Sequence, residues 1–482
     1  MIIPPSGYSS VGPPKTPIDW LAFLQGKLTE NRDDLLKYIA YYEGEQQKMA
    51  FAQARYKSAF RDLFNDWRDN FCGLIIDSAT ERMRVEAFRI ASEGGISEEA
   101  WEFWQRNSLD SLSNAVHLDA MVQSRAYVIV WKDNKTGEPI VTPVSAEEMA
   151  VQYKPGSLTE LEAAARFFQD SWGRTWVTLW TEDYVYEVPL GKTEWEQGTR
   201  KPNPLKRVPV VPFHNRSRIN GDPYSDLANV IPIQDAINKI TSDALLASEF
   251  AAWPQRWVTG LEIQEDENGK PKAPYDIGVD KLLQAENPEV VFGQFEASNL
   301  SNYVNFINLL VQHLSSVSRT PSHYFLVNQG TAPSGEAIIS AEAGLVSKVK
   351  ERMLYFGEAW EQVIRLCFLI KKDKRAEEVS LETVWADPEY RTEAQHIDSL
   401  LKLNQLDVPK ELLWMRAGFS ATEIEAFREM RREDAKEQRK LAELGPQAPE
   451  PGAPGGNKAA AMAAKPPQGN SGNVARKLNE KK

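Results

Sequence analysis

The segment from residue 222 to residue 370 constrains the fold more than any other part of this 482-residue chain. Apolar residues recur at helical spacing over residues 225–252 and again over residues 297–318, and a strand-like stretch joins the two. A stretch without any charge follows at residues 327–335, and one very long helix comes after it. Two apolar helices, an excursion between them and an uncharged loop are more typical of a conduit than of a pocket.

The first of these helices is expected to begin at Asp222 and Pro223, because proline lacks only the N–H group that a helix start leaves unpaired. Pro232 lies inside the apolar stripe, so we expect either a bent helix or a short turn followed by a helix. Trp253 and Pro254 are expected to end the helix.

The second helix carries a wider apolar face than a single core contact needs. Leu300, Val304, Ile307, Val311 and Leu314 form one continuous side, and neighbouring aromatic and leucine residues widen it. An ordinary buried core helix is the simpler interpretation of this pattern alone. Contact with another subunit is the alternative, because a helix this apolar requires neighbours on more than one side.

The third helix is expected over residues 336–370, with Ser334 as its N-cap and Glu336 near the positive end of the helix dipole. Its length would be about 50 Å at the usual rise per residue, which is enough to cross a whole domain. The residues expected to face the core are Ile338, Leu345, Val349, Met353, Phe356, Trp360, Val363 and Cys367.

Composition limits the classes of function. The formal net charge is -12, from 56 basic and 68 acidic residues, so no overall attraction to nucleic acid or to an anionic membrane is expected. The longest apolar run, near residues 363–370, is too short to span a bilayer. Cys72 and Cys367 are expected to be buried thiols in a reducing compartment.

The remaining sequence predicts helices at both ends and a small antiparallel sheet between them. Helices are expected at residues 18–28, 33–42 and 70–83 before the sheet, and at residues 396–403, 410–416 and 421–440 near the C-terminus. The strands of the sheet are expected at residues 127–131, 140–144, 149–153, 175–180 and 184–189, with one further strand at 379–386.

Catalytic and metal-binding motifs are absent from the sequence. It contains no phosphate-binding loop, no dinucleotide fingerprint, no Cys-x-x-Cys pair and no His-Glu-x-x-His. The five histidines are scattered, and His313 and His323 do not have a convincing metal-ligand spacing. We therefore expect a protein that is not an enzyme and needs neither cofactor nor metal.

Several segments resemble, in the same order, those of the portal proteins of long-tailed bacteriophages, which are head-tail connectors. The first segment is residues 70–89, with Asn70, Asp77 and Arg82, and the second is residues 208–216 followed by Gly221. The resemblance covers residues 38–428 and rests on the ordered series rather than on one motif. The sequence departs from the family at residues 222–224, where the family commonly has a shorter join.

The resemblance implies a mainly helical α+β fold with wing, stem, clip and crown, assembled as a ring of typically twelve copies. Such a ring lies at one capsid vertex and conducts double-stranded DNA during packaging and ejection. It implies contacts with the terminase large subunit, a head-tail adaptor, and the major capsid and scaffolding proteins. The expected location is the virion, and the host cytoplasm during assembly, with no membrane contact.

The resemblance also assigns the parts of the chain. These are an arm (1–17), the wing (18–221), stem helix 1 (222–252), the clip (253–294), stem helix 2 (295–320), the tunnel loop (321–335), a long wing helix and strand (336–390), the crown (391–442) and a disordered tail (443–482).

Three sets of site residues follow from this assignment. The tunnel-loop residues expected to face DNA are Val327, Asn328, Gln329, Gly330, Thr331 and Ala332. The stem residues expected to pack between subunits are Ile237, Ile240, Leu300, Val304, Ile307, Val311 and Leu314, so that Ile307→Asp should yield monomers or aggregates. The clip residues expected to contact partners are Trp257, Glu262, Glu265, Asp266 and Lys270.

The absence of basic residues supplies a physical reason for the channel interpretation. Each phosphate that Lys or Arg neutralises releases counterions and tightens binding, so a conduit must carry few of them. The predicted loop and second helix contain none, and Lys239 is the only basic residue in the first helix. An acidic helical scaffold or adaptor without a DNA channel is the alternative, although it would not need a strand-like clip between two apolar helices.

Overall fold

Helices and antiparallel sheets alternate along the chain in this computed structural model. It describes residues 12–45, 69–91, 95–190, 199–219, 222–252, 256–260, 288–296, 299–325, 335–389, 393–419 and 421–443. The elements before residue 215 are α1 (Pro17–Tyr42), α2 (Phe71–Thr80), β1 (Val85–Ile90), β2 (Gly95–Ile96), α3 (Glu98–Arg106), α4 (Leu109–Val122), β3 (Arg125–Lys132), β4 (Pro139–Ser145), β5 (Met149–Tyr153), β6 (Leu161–Gln169), β7 (Thr175–Thr181), β8 (Tyr184–Leu190), β9 (Thr199–Pro202) and β10 (Val210–His214).

The later elements include the two apolar helices and the long helix. They are α5 (Ile231–Ala252), β11 (Arg256–Thr259), β12 (Val291–Gln294), α6 (Ser301–Ser318), α7 (Gly335–Lys371), β13 (Leu381–Trp385), α8 (Glu393–Asn404), α9 (Lys410–Arg416) and α10 (Ala421–Glu443). Short 3-10 turns lie at Ser322–Tyr324 and Lys374–Glu377.

The strands predicted as one small sheet form two separate sheets, so that expectation is wrong in its topology. One sheet has the order β10-β3-β4, and the other has the order β5-β6-β7-β8-β9, with antiparallel pairing in both. A third sheet has the order β13-β1-β2, in which the strand predicted near residue 380 pairs with β1. The sequence could not assign partners because pairing depends on contacts between distant segments.

Among the strands that were not predicted, β6 and β10 were missed for different physical reasons. In β6, residues Ala163 to Ala165 have low strand propensity, but all three are completely buried, and Ala163 and Ala165 lie under α1, which needs small side chains there. In β10, the presence of Pro212 made a strand appear unfavourable, because proline has no backbone N–H to donate to a neighbouring strand. However, β10 lies at the edge of its sheet, where one side of the strand has no partner and the N–H of Pro212 is not needed.

The helix α1 is continuous, whereas the sequence predicted two helices with a break near residue 30. A capping box at Thr16 and Asp19 starts it, and Leu21 and Leu24 pack on the sheet that contains β5 and β6. Leu35, further along the same helix, belongs to the core between the β10-β3-β4 sheet and the sheet of β5 to β9. The polar residues near position 30 are solvent-facing positions of one helix rather than a linker.

The helix α7 crosses the main core, as its apolar pattern predicts. Its 37 residues extend about 55 Å at the helical rise. Phe356 and Trp360 are completely buried and contact Phe213 and His117 from other elements. Removing a side chain such as that of Trp360 would cost about 3–5 kcal/mol of folding free energy, since it would leave a large cavity.

The chain divides into two units, residues 1–424 and residues 425–482. The first unit holds all three larger sheets and helices α1 to α9. The described part of the second unit is the remainder of α10, and the residues there are mostly exposed and charged. The helix predicted at residues 410–416 has the same bounds in the structure, and the tail from residue 444 onward lies outside the described residues.

Candidate channel and subunit-contact surfaces

The helices α5 and α6 pack against each other, and the hairpin of β11 and β12 lies between them in the sequence. The predicted helix start at Asp222 is wrong, because the chain forms turns up to Val230 and the helix begins at Ile231. Pro232 occupies the first helical turn, where its missing N–H removes no hydrogen bond. The alternative of a short turn followed by a helix is therefore confirmed.

The seven stem residues predicted to pack between subunits separate into two groups. Ile237, Val311 and Leu314 are buried in the core of their own chain. In the single chain these three side chains are at most 1% exposed, so they leave almost no surface for a neighbouring copy. The remaining residues are half-buried or exposed, and they are Ile240, Leu300, Val304 and Ile307.

The helix α6 presents a second apolar face that sequence reasoning did not separate from the first. Phe306 and Leu309 are 46% and 45% exposed, and Val317 is similarly exposed one turn after His313. By the 3.6-residue period of the helix, these side chains project on average about 120° around the axis from Val311 and Leu314. One apolar face therefore packs inside the subunit, and the other remains on its surface.

A third side of α6 is polar and uncharged. Asn305, Gln312 and Ser316 are exposed and recur at positions that share one face. The helix contains no Lys, Arg, Asp or Glu. On α5, the ammonium group of Lys239 contacts the carboxylate of Asp243, so this pair contributes little net charge.

The hairpin of β11 and β12 holds Trp257 directly opposite Gly293. The indole ring covers the glycine so closely that a Cβ atom at position 293 would overlap it. Val291 and Phe295 are more than half exposed, and Trp257 is 38% exposed, so the hairpin carries an apolar surface. The other residues predicted to contact partners, Glu262, Glu265, Asp266 and Lys270, lie outside the described residues.

The predicted tunnel-loop residues Val327 to Ala332 also lie outside the described residues, but both flanks of the loop are visible. The Arg82 guanidinium donates to the Tyr324 hydroxyl at 2.7 Å and to the Glu342 carboxylate at 3.3 Å. It also donates to the Pro388 carbonyl at 3.1 Å. Tyr324 precedes the loop and Glu342 follows it, so one arginine ties the two flanks to each other.

A buried charged cluster joins the approach to α5 with α7. The Arg352 guanidinium pairs with the Asp226 carboxylate at 2.8 Å, and the Lys348 ammonium lies 3.6 Å from the same carboxylate. Lys348 also donates to the Ser318 carbonyl at 3.1 Å, at the end of α6. Burial alone would raise the pKa of Asp226, but the charges of Lys348 and Arg352 outweigh it and lower that pKa.

Sequence reasoning missed this charged cluster, although a signal was present. Lys348 and Arg352 are four positions apart, one helical turn, and they border the apolar stripe of α7 between Leu345 and Met353. A cation on the edge of a core-facing stripe needs an acidic partner when it is buried. The position of that partner, Asp226, depends on the fold of a distant segment and could not be assigned from the sequence.

The buried histidine and thiols are structural. Trp360 Nε1 donates to His117 Nε2 at 2.8 Å, and complete burial lowers the pKa of His117 to about 3. Cys72 and Cys367 are buried free thiols, as predicted, and burial raises the pKa of each. Within the described ranges, no group of three or more His, Cys, Asp or Glu residues is arranged to bind a metal ion.

None of the described helices combines the length and the hydropathy that crossing a bilayer requires.

Comparison with known proteins identifies the family. A family profile described as "Phage portal protein, SPP1 Gp6-like" matches residues 21–440. The portal protein of Mycobacterium phage L5 is 28% identical over 429 residues, which cover 84% of this chain and 85% of that relative. The portal protein of Mycobacterium phage D29 is 29% identical over 392 residues, covering 76% of this chain and 78% of that relative.

Two solved structures align over much of the chain. The first, "Neck of empty GTA particle computed with C6 symmetry", has a TM-score of 0.46 at 10% identity and covers 77% of this chain and 95% of that chain. The second, "Virion of native gene transfer agent (GTA) particle", has a TM-score of 0.41 at 11% identity and covers 80% of this chain and 94% of that chain.

The profile match includes β1 to β10 and β13, the helices α5 and α6, the hairpin that lies between them in the sequence, and the long helix α7. It extends over well more than half of the chain, and it decides against an unrelated scaffold or adaptor. The resemblance noted in the sequence is thereby confirmed. The chain belongs to the phage portal protein family and is a structural protein of the virion.

Proposed function

We propose that twelve copies of this chain assemble into a ring at one capsid vertex and conduct double-stranded DNA during packaging and ejection. The observation that carries this proposal is the three-sided character of α6. One side packs inside the subunit through Val311 and Leu314, a second exposes Phe306 and Leu309, and neither side carries charge. A helix in a ring needs both an intrasubunit and an intersubunit face.

The exposed apolar face of α6 contacts a neighbouring copy in this proposal. Phe306, Leu309 and Val317 would otherwise leave a row of large apolar side chains in water. Leu300 and Val304 lie on the same side of α6 as Val311, but they are exposed nearer the hairpin and form a second part of the contact there. In a closed ring every subunit makes the same contact, so the apolar face of α6 is shielded from water in every copy.

The polar side of α6 faces the channel. Asn305, Gln312 and Ser316 offer amide and hydroxyl groups without a cation, so they do not displace counterions from the DNA backbone. DNA can therefore slide past them with little binding energy to overcome at each step. The loop residues Asn328, Gln329 and Thr331 form a polar constriction in the same proposal, with Val327, Gly330 and Ala332 beside them.

The hairpin of β11 and β12 contacts the terminase large subunit first and a head-tail adaptor afterwards. Exposed Trp257, Val291 and Phe295 support this role, because aromatic and aliphatic side chains surrounded by polar residues are typical centres of protein interfaces. Glu262, Glu265, Asp266 and Lys270, between the two strands in sequence, extend the contact. The wing contacts the major capsid and scaffolding proteins, and assembly takes place in the host cytoplasm.

Electron microscopy of the purified full-length protein tests the proposal. Negatively stained particles should appear as rings with a central hole, and class averages should give the number of copies. Native mass spectrometry on the same preparation should report one discrete oligomer. A preparation that remains monomeric at every concentration and salt condition tried, or that forms particles without a central opening, would contradict the proposal.

A further inference from the structure

Arg82 joins four separate parts of the chain through one guanidinium group. The residue follows α2, and its side chain is only 14% exposed. Besides the hydroxyl of Tyr324 and the carboxylate of Glu342, the guanidinium contacts the backbone carbonyl of Pro388, which lies between β13 and α8 in the chain. The two flanks of the tunnel loop and the segment that follows β13 therefore share one hydrogen-bond donor.

The hydrogen bonds of Arg82 form a closed arrangement rather than three independent contacts. One terminal nitrogen donates to both Glu342 Oε2 and the Pro388 carbonyl oxygen, and the other donates to the Tyr324 hydroxyl. That hydroxyl donates in turn to Glu342 Oε1 at 3.4 Å. The planar guanidinium fixes the directions of its donors, whereas the ammonium group of a lysine acts as a point charge. The acceptors are thus held relative to one another by a geometry that lysine cannot reproduce.

The place of Glu342 along α7 gives its ion pair with Arg82 a particular role. Among the described residues of α7, Glu342 is the first that is buried, and residues 337–341 before it are half-buried or exposed. The core-facing stripe of the helix begins one turn later, with the completely buried Leu345. The pair is therefore the first buried contact that the described part of α7 makes after the tunnel loop.

Backbone hydrogen bonds mark both sides of this arrangement. In the 3-10 turn before the tunnel loop, the N–H of Phe325 donates to the Ser322 carbonyl at 3.1 Å. On the other side of Arg82, the N–H of Ala386 donates to the Arg84 carbonyl at 2.9 Å. Such hydrogen-bonded N–H groups exchange with solvent only when their segment opens. Exchange at these two positions can therefore report on the loop flank and on the segment after β13 separately.

We propose that Arg82 is a positioning residue that couples the two flanks of the tunnel loop to the segment between β13 and α8. A displacement of Tyr324 or Glu342 redirects the guanidinium and weakens its hydrogen bond to the Pro388 carbonyl, because coupling between sites is carried by such connected networks. In the proposed channel, DNA that displaces the loop flanks thereby acts on residues 386–389, and this last step rests on the proposed function. The coupling itself is a property of the subunit.

Hydrogen exchange followed by mass spectrometry on the full-length protein measures the coupling, with peptides that contain Phe325 and Ala386 as reporters. Tyr324→Phe removes one acceptor of Arg82 and should speed exchange at both reporters, by roughly threefold at Ala386, which loses only indirect support. Arg82→Lys keeps a positive charge beside Glu342 but cannot span three acceptors, so exchange at both reporters should rise by at least about tenfold. Adding Tyr324→Phe to Arg82→Lys should then have no further effect at Ala386.

Arg166→Lys is the matched control. Arg166 is likewise a half-buried arginine paired with a carboxylate, that of Glu148, but it lies in the sheet of β5 to β9. Its replacement should leave exchange at Phe325 and Ala386 at the wild-type rate.

Three results would overturn the proposal. Unchanged exchange at Ala386 in Tyr324→Phe would mean that Arg82 holds its partners independently. An equal effect of Tyr324→Phe with Arg82 and with Arg82→Lys would mean that the coupling takes another route. Equally faster exchange throughout the β5–β9 sheet would mean that the variants loosen the whole subunit. None of these measurements needs DNA or a ring, so absence of rings would contradict the proposed function and leave the coupling standing.

Discussion

Arg352 and Asp226 form a buried ion pair, with 2.8 Å between the guanidinium nitrogen and the carboxylate oxygen. Asp226 lies just before α5, and Arg352 lies midway along α7, so the pair joins the approach to α5 to the long helix α7. Asn215 donates to the same carboxylate at 3.1 Å, and Lys348 extends the cluster to the end of α6. The start of α5 and the end of α6 are therefore positioned relative to α7 by charge as well as by apolar packing.

The Asp226→Asn substitution should destabilise the subunit strongly. It leaves Lys348 and Arg352 buried without a full counter-charge, and breaking a buried pair in this way costs about 3–5 kcal/mol. Chemical denaturation followed by circular dichroism measures the change. Asp183→Asn is the matched control, since its ion pair with Lys206 is exposed and should be worth less than about 1 kcal/mol. Similar losses in both variants would contradict a structural role for the cluster.

The Gly293→Ala substitution should loosen the hairpin of β11 and β12 without disturbing the wing. The added methyl group would overlap the Trp257 indole, so the ring must leave its place on the opposite strand. Hydrogen exchange followed by mass spectrometry should show faster exchange in the two strands only. Gly95→Ala is the control, because a Cβ atom at Gly95 meets no neighbour within 4 Å. Unchanged exchange at position 293 would mean that the ring packing does not order the hairpin.

Local periodicity predicted the helices well where one face is strongly apolar. The eight stripe residues of α7 were predicted from spacing alone, and seven of them, from Leu345 to Cys367, are buried. The sheets were predicted less well, because strand partners are selected by contacts across long stretches of chain. The alanines of β6 illustrate this, since their strand conformation follows from the close packing of α1 rather than from their own propensity.

The contact surface on α6 could likewise be predicted only in part from the sequence. That α6 is uncharged is visible in the sequence, but the division of its apolar residues into a buried and an exposed face is not. Val311 and Leu309 have similar character in the sequence, yet only Val311 is buried by the rest of its own chain. Which residues remain for a neighbouring copy depends on where α5 and the wing lie.

The Leu309→Asp substitution should prevent ring formation and leave the subunit folded. Leu309 is 45% exposed in the single chain, so a charge there disturbs a subunit contact more than the core. Ile307→Asp is a poorer test, because Ile307 packs against the main core and its replacement would destabilise the subunit itself. Native mass spectrometry should detect monomers for Leu309→Asp and rings for the control Ser316→Asp. Intact rings in both variants would exclude this face as the contact.

The Gln312→Lys substitution should convert a sliding channel into one that retains DNA. A ring of copies would place one additional cation per subunit beside the phosphates, and each neutralised phosphate steepens the dependence of binding on salt. Fluorescence anisotropy with a labelled duplex should show tighter, strongly salt-dependent binding. Asn134→Lys, in the exposed turn between β3 and β4, is the control for added charge. Equal binding by both variants would indicate that Gln312 does not line the channel.

Glu361 makes the stability of the α7 core depend on pH. Burial raises its pKa to about 7, and the nearby carboxylates of Glu358 and Glu382 act in the same direction. The backbone N–H of Thr383 and the guanidinium of Arg365 donate to this carboxylate and oppose the shift. The folded chain therefore holds a proton at this position over a pH range in which the unfolded chain has lost it.

The Glu361→Gln substitution should remove this pH dependence. A carboxyl group whose pKa is raised on folding contributes stability that is complete below its unfolded value, near 4.5, and is lost as the pH rises through about 7. The melting temperature of the wild type should therefore fall between pH 5 and pH 8 more than that of the variant. Glutamine keeps the length of the side chain and can still accept from Thr383, so packing is largely unchanged. Glu437→Gln, at an exposed position of α10, should follow the wild-type curve, and parallel curves for Glu361→Gln and the wild type would disprove the assignment.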